Sequence, residues 1–274
     1  MSVINTNIAS IKARSNLDRV QRDMDQSIAR LSSGKRITAA RDDAAGQAIA
    51  GRMESQIRGL MMGVRHAKDG QSMVDVQEGA LQEVAAILQR MRELAVQSSS
   101  GIASTTDQDY LNTEMTALTA ELDAISANTE FNGTTVMSTA YSFVTDIDAS
   151  GTALSVGAGT MAAGALAVNM AVVSIGGSST VSITSVLTSI DAGIATVANR
   201  RATLGAVSNR FDHIIDNLTN VIANTESAKS RVEDADFAVE TTQLTRNTVL
   251  QQAATSMVAQ ANASKNTILA LIQG

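Results

Sequence analysis

"IRGLMMGVRHAKDGQSMVDVQEGALQEVAAILQRMRELA" spans residues 57–95, and its apolar spacing decides the fold. Leu60, Ala67, Val74, Leu81, Leu88 and Ala95 recur every seven residues, with Ile57, Val64, Val84 and Met91 at intermediate positions. At 3.6 residues per turn, a seven-residue apolar repeat draws one stripe along a helix, which is the seam of a coiled coil. The repeat runs for about five to six heptads, longer than a helix of a compact globule needs. The rest of the composition agrees. Pro is absent, so no residue forbids long helices. Aromatics make up 2% of the 274 residues and Trp is absent, so any core is built from Ala, Leu, Ile, Val and Met, which suit narrow seams.

Outward from the seam, the pattern repeats. Toward the start, Ile4, Ile8, Ile11, Leu17, Val20, Met24, Ile28 and Leu31 follow steps mostly of three and four, one apolar stripe on a helix, and Gly34 follows as a C-cap. Toward the end, "SSSGIASTTD" (98–107) breaks the period. Leu111, Met115, Leu118, Leu122 and Ile125 then resume it on a shorter helix. Leu187, Ile190, Ile194, Val197, Leu204, Phe211, Ile215, Leu218 and Ile222 carry it through the second half, and Leu250, Ala254, Met257, Ala261, Ile268 and Ile272 carry it to the C-terminus. From Phe131 to about Val186 the composition changes to Gly, Ser, Thr and Ala. There "EFNGTTVM" (130–137), "YSFVTDI" (141–147) and "TVSITSV" (180–186) alternate at strand period around Asn-Gly and Gly-Gly turns. The expected fold is mainly α: a long antiparallel helical coiled-coil rod formed by the N- and C-terminal halves, with a β-hairpin and a small β-rich central insertion.

Charge divides the chain differently. All 21 Lys and Arg lie in residues 1–92 or 200–274, so the 107 residues from Glu93 to Asn199 hold ten acids and no base. The net charge of −6 opposes general nucleic-acid binding, which needs a basic surface. Without Cys there are no disulfides or thiolate metal sites. The start, "MSVINTNIASIKARSNLDRV", has no basic segment followed by an apolar one, so a cleavable signal peptide is not expected.

Between the first two helical stretches lies "SSGKRITAARDDAAGQAIAGRM" (32–53). Gly34 ends one helix, and Asp42 or Asp43 is placed to cap the next, whose dipole favours their charge. Lys35, Arg36 and Arg41 stand beside them as ion-pair partners. An ordinary solvated loop with caps would look the same, so the segment is read as a charged joint only in the light of what surrounds it.

Five stretches give that light: "LSSGKRITAARDDAAGQAIAGRMESQIRGL" (31–60), "DGQSMVDVQEGALQEVAAILQRMRELAVQSSSG" (69–101), "NTEFNGTTV" (128–136), "RATLGAVSNRFDHIIDNL" (201–218) and "SRVEDADFAVETTQLTRNTVLQQAATSMVAQAN" (230–262). In this order they closely resemble bacterial flagellin, over about residues 1–138 and 186–274. The resemblance implies an inner domain of paired terminal helices (1–40 and 230–274), a helical rod domain with a β-hairpin (41–140 and 185–229) and a small variable outer region (141–184). It implies a structural subunit that polymerises into a filament, exported to the cell exterior without a cleaved signal. The partners it implies are copies of the chain, an export chaperone, and the filament cap and hook-associated proteins. Assembly would use the coiled-coil residues Ile8, Ile11, Leu17, Val20, Met24, Leu31, Leu250, Met257, Ile268 and Ile272, and the joint residues Gly34, Lys35, Arg36, Arg41, Asp42 and Asp43. In many flagellins the motif resembled by "LQRMRELAVQ" (88–97) is read by the Toll-like innate receptor for flagellin. The matching positions are Gln89, Arg90, Leu94 and, on the next helix, Glu114, with Arg90 as a bidentate donor and Leu94 as an apolar anchor.

Other readings are weaker. The charge-free stretch "ALSVGAGTMAAGALAVNMAVVSIGG" (153–177) has the length of a membrane span, which would make the chain a secreted pore-forming translocator. It has few large apolar residues, Asn169 inside and no basic flank. A hook–filament junction protein shares the terminal pattern. No catalytic, metal or cofactor site is expected: His66 and His213 are the only histidines, and "GAGTMAAG" (157–164) fits neither nucleotide fingerprint.

Overall fold

The computed structural model describes residues 6–100, 103–144, 153–157 and 183–273, and no side chain of 153 or 265–273. Among the described residues five helices carry the fold: α1 Ile8–Ser33, α2 Ala44–Ser98, α3 Thr105–Asn128, α4 Ile183–Glu233 and α5 Phe237–Gln273. Four short strands follow α3: β1 Glu130–Phe131, β2 Thr134–Thr135, β3 Tyr141–Val144 and β4 Ala153–Val156. The chain forms two compact units. Met1–Ser55 with Asn224–Gly274 make a terminal unit, and Gln56–Ala223 make a central unit.

Local chemistry sets the helix ends. Asn7 caps α1 by accepting from the Ser10 N–H at 3.1 Å. At the other end Gly34 takes φ 70°, and its N–H bonds the Arg30 carbonyl at 2.8 Å, a left-handed cap that a side chain would strain. Ser104 and Asp107 form a reciprocal capping box on α3. The Asp236 carboxylate accepts from the Ala238 and Val239 N–H groups at the start of α5.

The heptad seam of α2 is the core of the central unit. Ala67, Val74, Leu81, Val84, Leu88, Met91 and Ala95 are each 2% exposed or less, and pack with Met115 and Leu122 of α3 and Ile190, Val197, Leu204 and Phe211 of α4. Arg201 to Glu78 and Arg92 to Asp191, both at 2.7 Å, mark the antiparallel course of α2 and α4. Arg90 to Glu114 at 2.9 Å marks that of α2 and α3.

The Asn-Gly turn forms as its sequence predicts. Asn132 and Gly133 both take positive φ, 52° and 75°, and join β1 to β2 with Glu130 opposite Thr135. Gln77, buried on α2, donates its amide to the Val136 carbonyl at 2.5 Å and holds the hairpin against the core. The second hairpin, β3–β4, pairs Tyr141 with Val156 and buries Leu154 and Val156 in the same core. Phe143 meets Phe211 edge-on with ring centroids 5.8 Å apart.

One expectation is corrected. The strand expected at "TVSITSV" is not one, because Ile183–Val186 are the first turn of α4 and 180–182 lie outside the described residues. Val186 is fully buried in the helical core, so tertiary packing overrides the β-branched preference of Ile183 and Val186. In the charge-free stretch with the length of a membrane span, the weaker reading, Leu154–Val156 are strand and 158–177 lie outside the described residues. Among the described residues no helix is long and apolar enough to cross a membrane.

Candidate assembly and recognition surfaces

In the terminal unit α1 and α5 pack antiparallel, and polar groups join them. The Asn7 amide donates to the Ala261 carbonyl at 2.9 Å, Gln251 donates to Gln21 at 2.5 Å, and Arg30 meets Glu240 at 2.9 Å. Ser10, Ser27, Glu240 and Asn247 are buried. Several large apolar residues of these helices face outward: Ile8, Ile11 and Ile28 on α1, and Phe237, Val239, Val249, Leu250 and Met257 on α5. Of the expected coiled-coil residues, Leu17, Val20, Met24 and Leu31 are half-buried. Ile8, Ile11, Leu250 and Met257 are exposed and do not lie in a seam between α1 and α5. The side chains of Ile268 and Ile272 fall outside the described residues.

The joint is more tightly tied than its charge pattern suggests. Residues 34–36 run antiparallel to 233–235: Arg36 donates its N–H to the Glu233 carbonyl at 2.6 Å, Ala235 donates to the Gly34 carbonyl at 2.9 Å, and the Lys35 backbone stands opposite that of Asp234 as an isolated β-bridge. Lys35 pairs with Glu233 at 2.5 Å, and the Arg36 guanidinium donates to the Val232 carbonyl at 2.6 Å while standing 3.9 Å from Asp43. The two adjacent acids divide the work. Asp43 caps α2, accepting from the Gly46 N–H at 2.8 Å. Asp42 closes the loop, accepting from the Thr38 hydroxyl at 2.9 Å, from the Thr38 and Ala39 N–H groups, and from Gln26 of α1 at 3.1 Å. The Thr38 hydroxyl, with those N–H groups, holds the Asp42 carboxyl below the ordinary carboxylate range. Arg41 remains exposed, 3.8 Å from Asp42.

Sequence reasoning passed over three contributors here. A Cβ on Gly46 would lie 2.4 Å from the Asp43 carboxylate and 2.7 Å from Ile37, so this glycine is what lets the cap and the buried Ile37 share one turn. Its place three residues after Asp43 was the available signal. Lys229 bonds Glu54, which raises the Lys229 pKa. Arg30 and Glu240 carried no local signal, because their partnership spans 210 residues.

In the central unit Gln89 and Arg90 are exposed, and Arg90 bonds Glu114 at 2.9 Å and Glu93 at 3.2 Å. Those two carboxylates push the guanidinium pKa up, the Glu114 bond most. Leu94 is a correction. It is 0% exposed in the helical core and presents no surface, because α2 here packs against both α3 and α4 and its apolar face is wider than a single seam. The exposed apolar side chains nearby in sequence are Val96 and Tyr110.

Residues 4–142 match the family model described as the bacterial flagellin N-terminal helical region, and residues 187–272 match the one described as the C-terminal helical region. The chain belongs to the bacterial flagellin family. Similar flagellins are known along its whole length. The flagellin of Bacillus subtilis (strain 168) is 37% identical over 302 residues, covering 98% of this chain and 99% of that protein. The flagellar filament 31.3 kDa core protein of Treponema maltophilum is 35% identical, covering 99% of this chain and 100% of its own length. A crystal structure of Bacillus cereus flagellin aligns over 56% of this flagellin and 88% of its own chain, with a TM-score of 0.47 and 27% identity.

Proposed function

We propose that this flagellin is a structural subunit that polymerises into the extracellular flagellar filament and performs no catalytic step. The observation that carries this is the terminal unit's inversion. Ile8, Ile11, Val239, Leu250 and Met257 face solvent while Ser10, Ser27, Glu240 and Asn247 are buried. Large exposed apolar surface on a soluble chain marks an interaction face. Copies of the same chain are the occupant in a family whose named members include filament core proteins. A contact between unlike faces that does not close on itself propagates as an open helical filament. Purified protein, seeded with filament fragments and viewed by negative-stain microscopy, should elongate the seeds. Unchanged seeds would refute the reading.

The terminal helices are completed by assembly in this reading, since their pairing in one chain buries little apolar surface. Trypsin should therefore cut monomer first between Lys12 and Arg41 and between Arg231 and Lys265, and polymer should resist there. Equal cutting of both forms would remove this step. The joint residues Gly34, Lys35, Arg36, Arg41, Asp42 and Asp43 serve assembly by holding the loop between α1 and α2 in one form. The proposed domains remain 1–40 with 230–274, 41–140 with 185–229, and 141–184. Export proceeds without a cleaved signal, with a chaperone, and elongation meets the cap and hook-associated proteins. The host Toll-like receptor for flagellin reads the exposed Gln89 and Arg90 with Glu114, and Leu94 acts only through the packing beneath them. Arg90→Ala should lower receptor signalling by monomer about 30-fold or more, the scale of a truncated hot spot. Unchanged signalling at limiting dose would reject that site.

A further inference from the structure

We propose that Met257 is an oxidation site through which peroxides control addition of this subunit to a growing filament. The inference rests on the assembly reading above and adds a chemistry to it. The chain has no Cys, so its thioethers are its oxidisable sulfur. The described ones differ in exposure, with Met24 and Met53 half-buried. Met73, Met91, Met115 and Met137 are 2% exposed or less and sit in the central core. Met257 is 62% exposed, and Met61 and Met62 of α2 are 54% and 43% exposed.

Position separates Met257 from the other two. Val239, Leu250 and Met257 stand about three and five helical turns apart, at nearly the same angle around α5, so they form one outward stripe. The α1-facing side of α5 carries Glu240, Asn247 and Gln251 instead. Met257 is therefore on the apolar face offered to another copy, and outside the polar contacts that hold α5 to α1. Hydrogen peroxide transfers one oxygen to the sulfur. The O–O bond breaks, an S–O bond forms, water leaves, and the thioether is oxidised by two electrons to the sulfoxide. A flexible apolar side chain becomes a polar one, and its burial against a copy then leaves an acceptor without a donor. A thiol-dependent sulfoxide reductase reverses the change, returning the oxygen as water and leaving the reductase thiols as a disulfide.

The site opens and closes with assembly. In monomer Met257 reacts with peroxide, and in filament the neighbouring copy covers it. Oxidation thus stops addition of new subunits without dissolving what is built.

The test treats full-length monomer with graded hydrogen peroxide, maps each methionine by peptide mass spectrometry, and measures elongation of untreated seeds against each protein's own untreated sample. Elongation by the parent chain should fall about tenfold, the effect of burying one unpaired polar group, in step with the fraction of sulfoxide at Met257. A methionine sulfoxide reductase should restore it. Met257→Leu should lose this sensitivity, Met61→Leu with Met62→Leu should keep it, and filaments treated alike should show Met257 unreacted. Full oxidation of Met257 with unchanged elongation by the parent chain, or oxidation of Met257 in filament as fast as in monomer, would overturn the proposal. Failure of untreated monomer to elongate seeds would instead strike the assembly reading beneath it.

Discussion

In the central unit, Leu81, Leu88, Met91 and Phe211 are 1% exposed or less, and the charged residues Glu78, Arg92, Asp191 and Arg201 ring that core at the surface. In the terminal unit the order is reversed. Its buried apolar side chains, among the described residues, are Ile37 and Ala50 near the joint, and α1 and α5 supply none. Both units are built from long helices, so helix formation alone does not explain the difference. What differs is where each helix finds its apolar partner: α2 finds it in α3 and α4 of the same chain, whereas α1 and α5 leave Ile8, Ile11, Leu250 and Met257 exposed, the residues that other copies cover in the proposed assembly. The polar α1–α5 contacts fix register more than they add stability, since an ion pair such as Arg30–Glu240 must first overcome the cost of desolvation. Charge follows the same division. The terminal unit holds thirteen bases and eleven acids, and the central unit eight bases and sixteen acids. Central units therefore repel one another, and salt that screens them should favour packing of the terminal ones.

The comparison breaks most easily at the chain ends. Deleting residues 1–31 or 236–274 should abolish filament formation outright and leave the thermal transition of the central unit in place, as followed by circular dichroism. Filaments of normal length from either truncation would mean that the central unit carries assembly.

Single residues sharpen it. Phe211→Ala empties a fully buried site beside Phe143 and should cost about 3–5 kcal/mol of monomer stability in urea. Leu250→Ala removes a side chain 41% exposed and should change monomer stability by no more than about 0.5 kcal/mol. Its effect should appear as a higher monomer concentration in equilibrium with filament. If both substitutions destabilised monomer alike, Leu250 would belong to an internal seam and the inversion would be wrong.

The extent to which this was readable from sequence follows the range of the forces involved. The heptads of α2 mark its buried face directly, because the period of an apolar stripe is a local property. The Asn132-Gly133 turn is equally local. The burial of Leu94 is not, because it depends on α2 having two partners at that level, and one helix's periodicity cannot count its neighbours. The exposure of Leu250 and Met257 escaped for the same reason: an apolar stripe states that burial is wanted and is silent on whether the partner is in the same chain. "TVSITSV" misled because β-branched alternation and a buried first helical turn share the same few residues.

At the joint a smaller effect is expected. Gly46→Ala brings a methyl within 2.4 Å of the Asp43 carboxylate and 2.7 Å of Ile37 and should cost about 1–3 kcal/mol. Asp43→Ala removes the α2 cap and should cost about 1 kcal/mol. The double substitution should cost less than the two added, because removing the carboxylate opens room for the methyl. Strict additivity in urea denaturation would show that the close approach to Asp43 is not what demands glycine.

The smallest expected effect is that of acid, and it compares the two units at matched groups. Asp42 in the terminal unit and Asp107 in the central unit both have pKa values lowered from the ordinary 3.8, chiefly by hydroxyl bonds from Thr38 and Ser104. A carboxylate depressed by folding contributes stability that is present above its ordinary value and lost as pH falls through the lowered one. Protonation should therefore loosen the Thr38–Asp42 loop and the start of α3 only below about pH 4. Hydrogen exchange should show it at the Thr38 and Ala39 amides for Asp42 and at the Ser104 amide for Asp107. Asp42→Asn and Asp107→Asn should each flatten the acid response at their own amides and leave the other unchanged, because the pairs lie in separate compact units. If Asp42→Asn also altered exchange at Ser104, acid would act on the two units as one body, and the division of labour between a self-sufficient core and a face reserved for other chains would have to be redrawn.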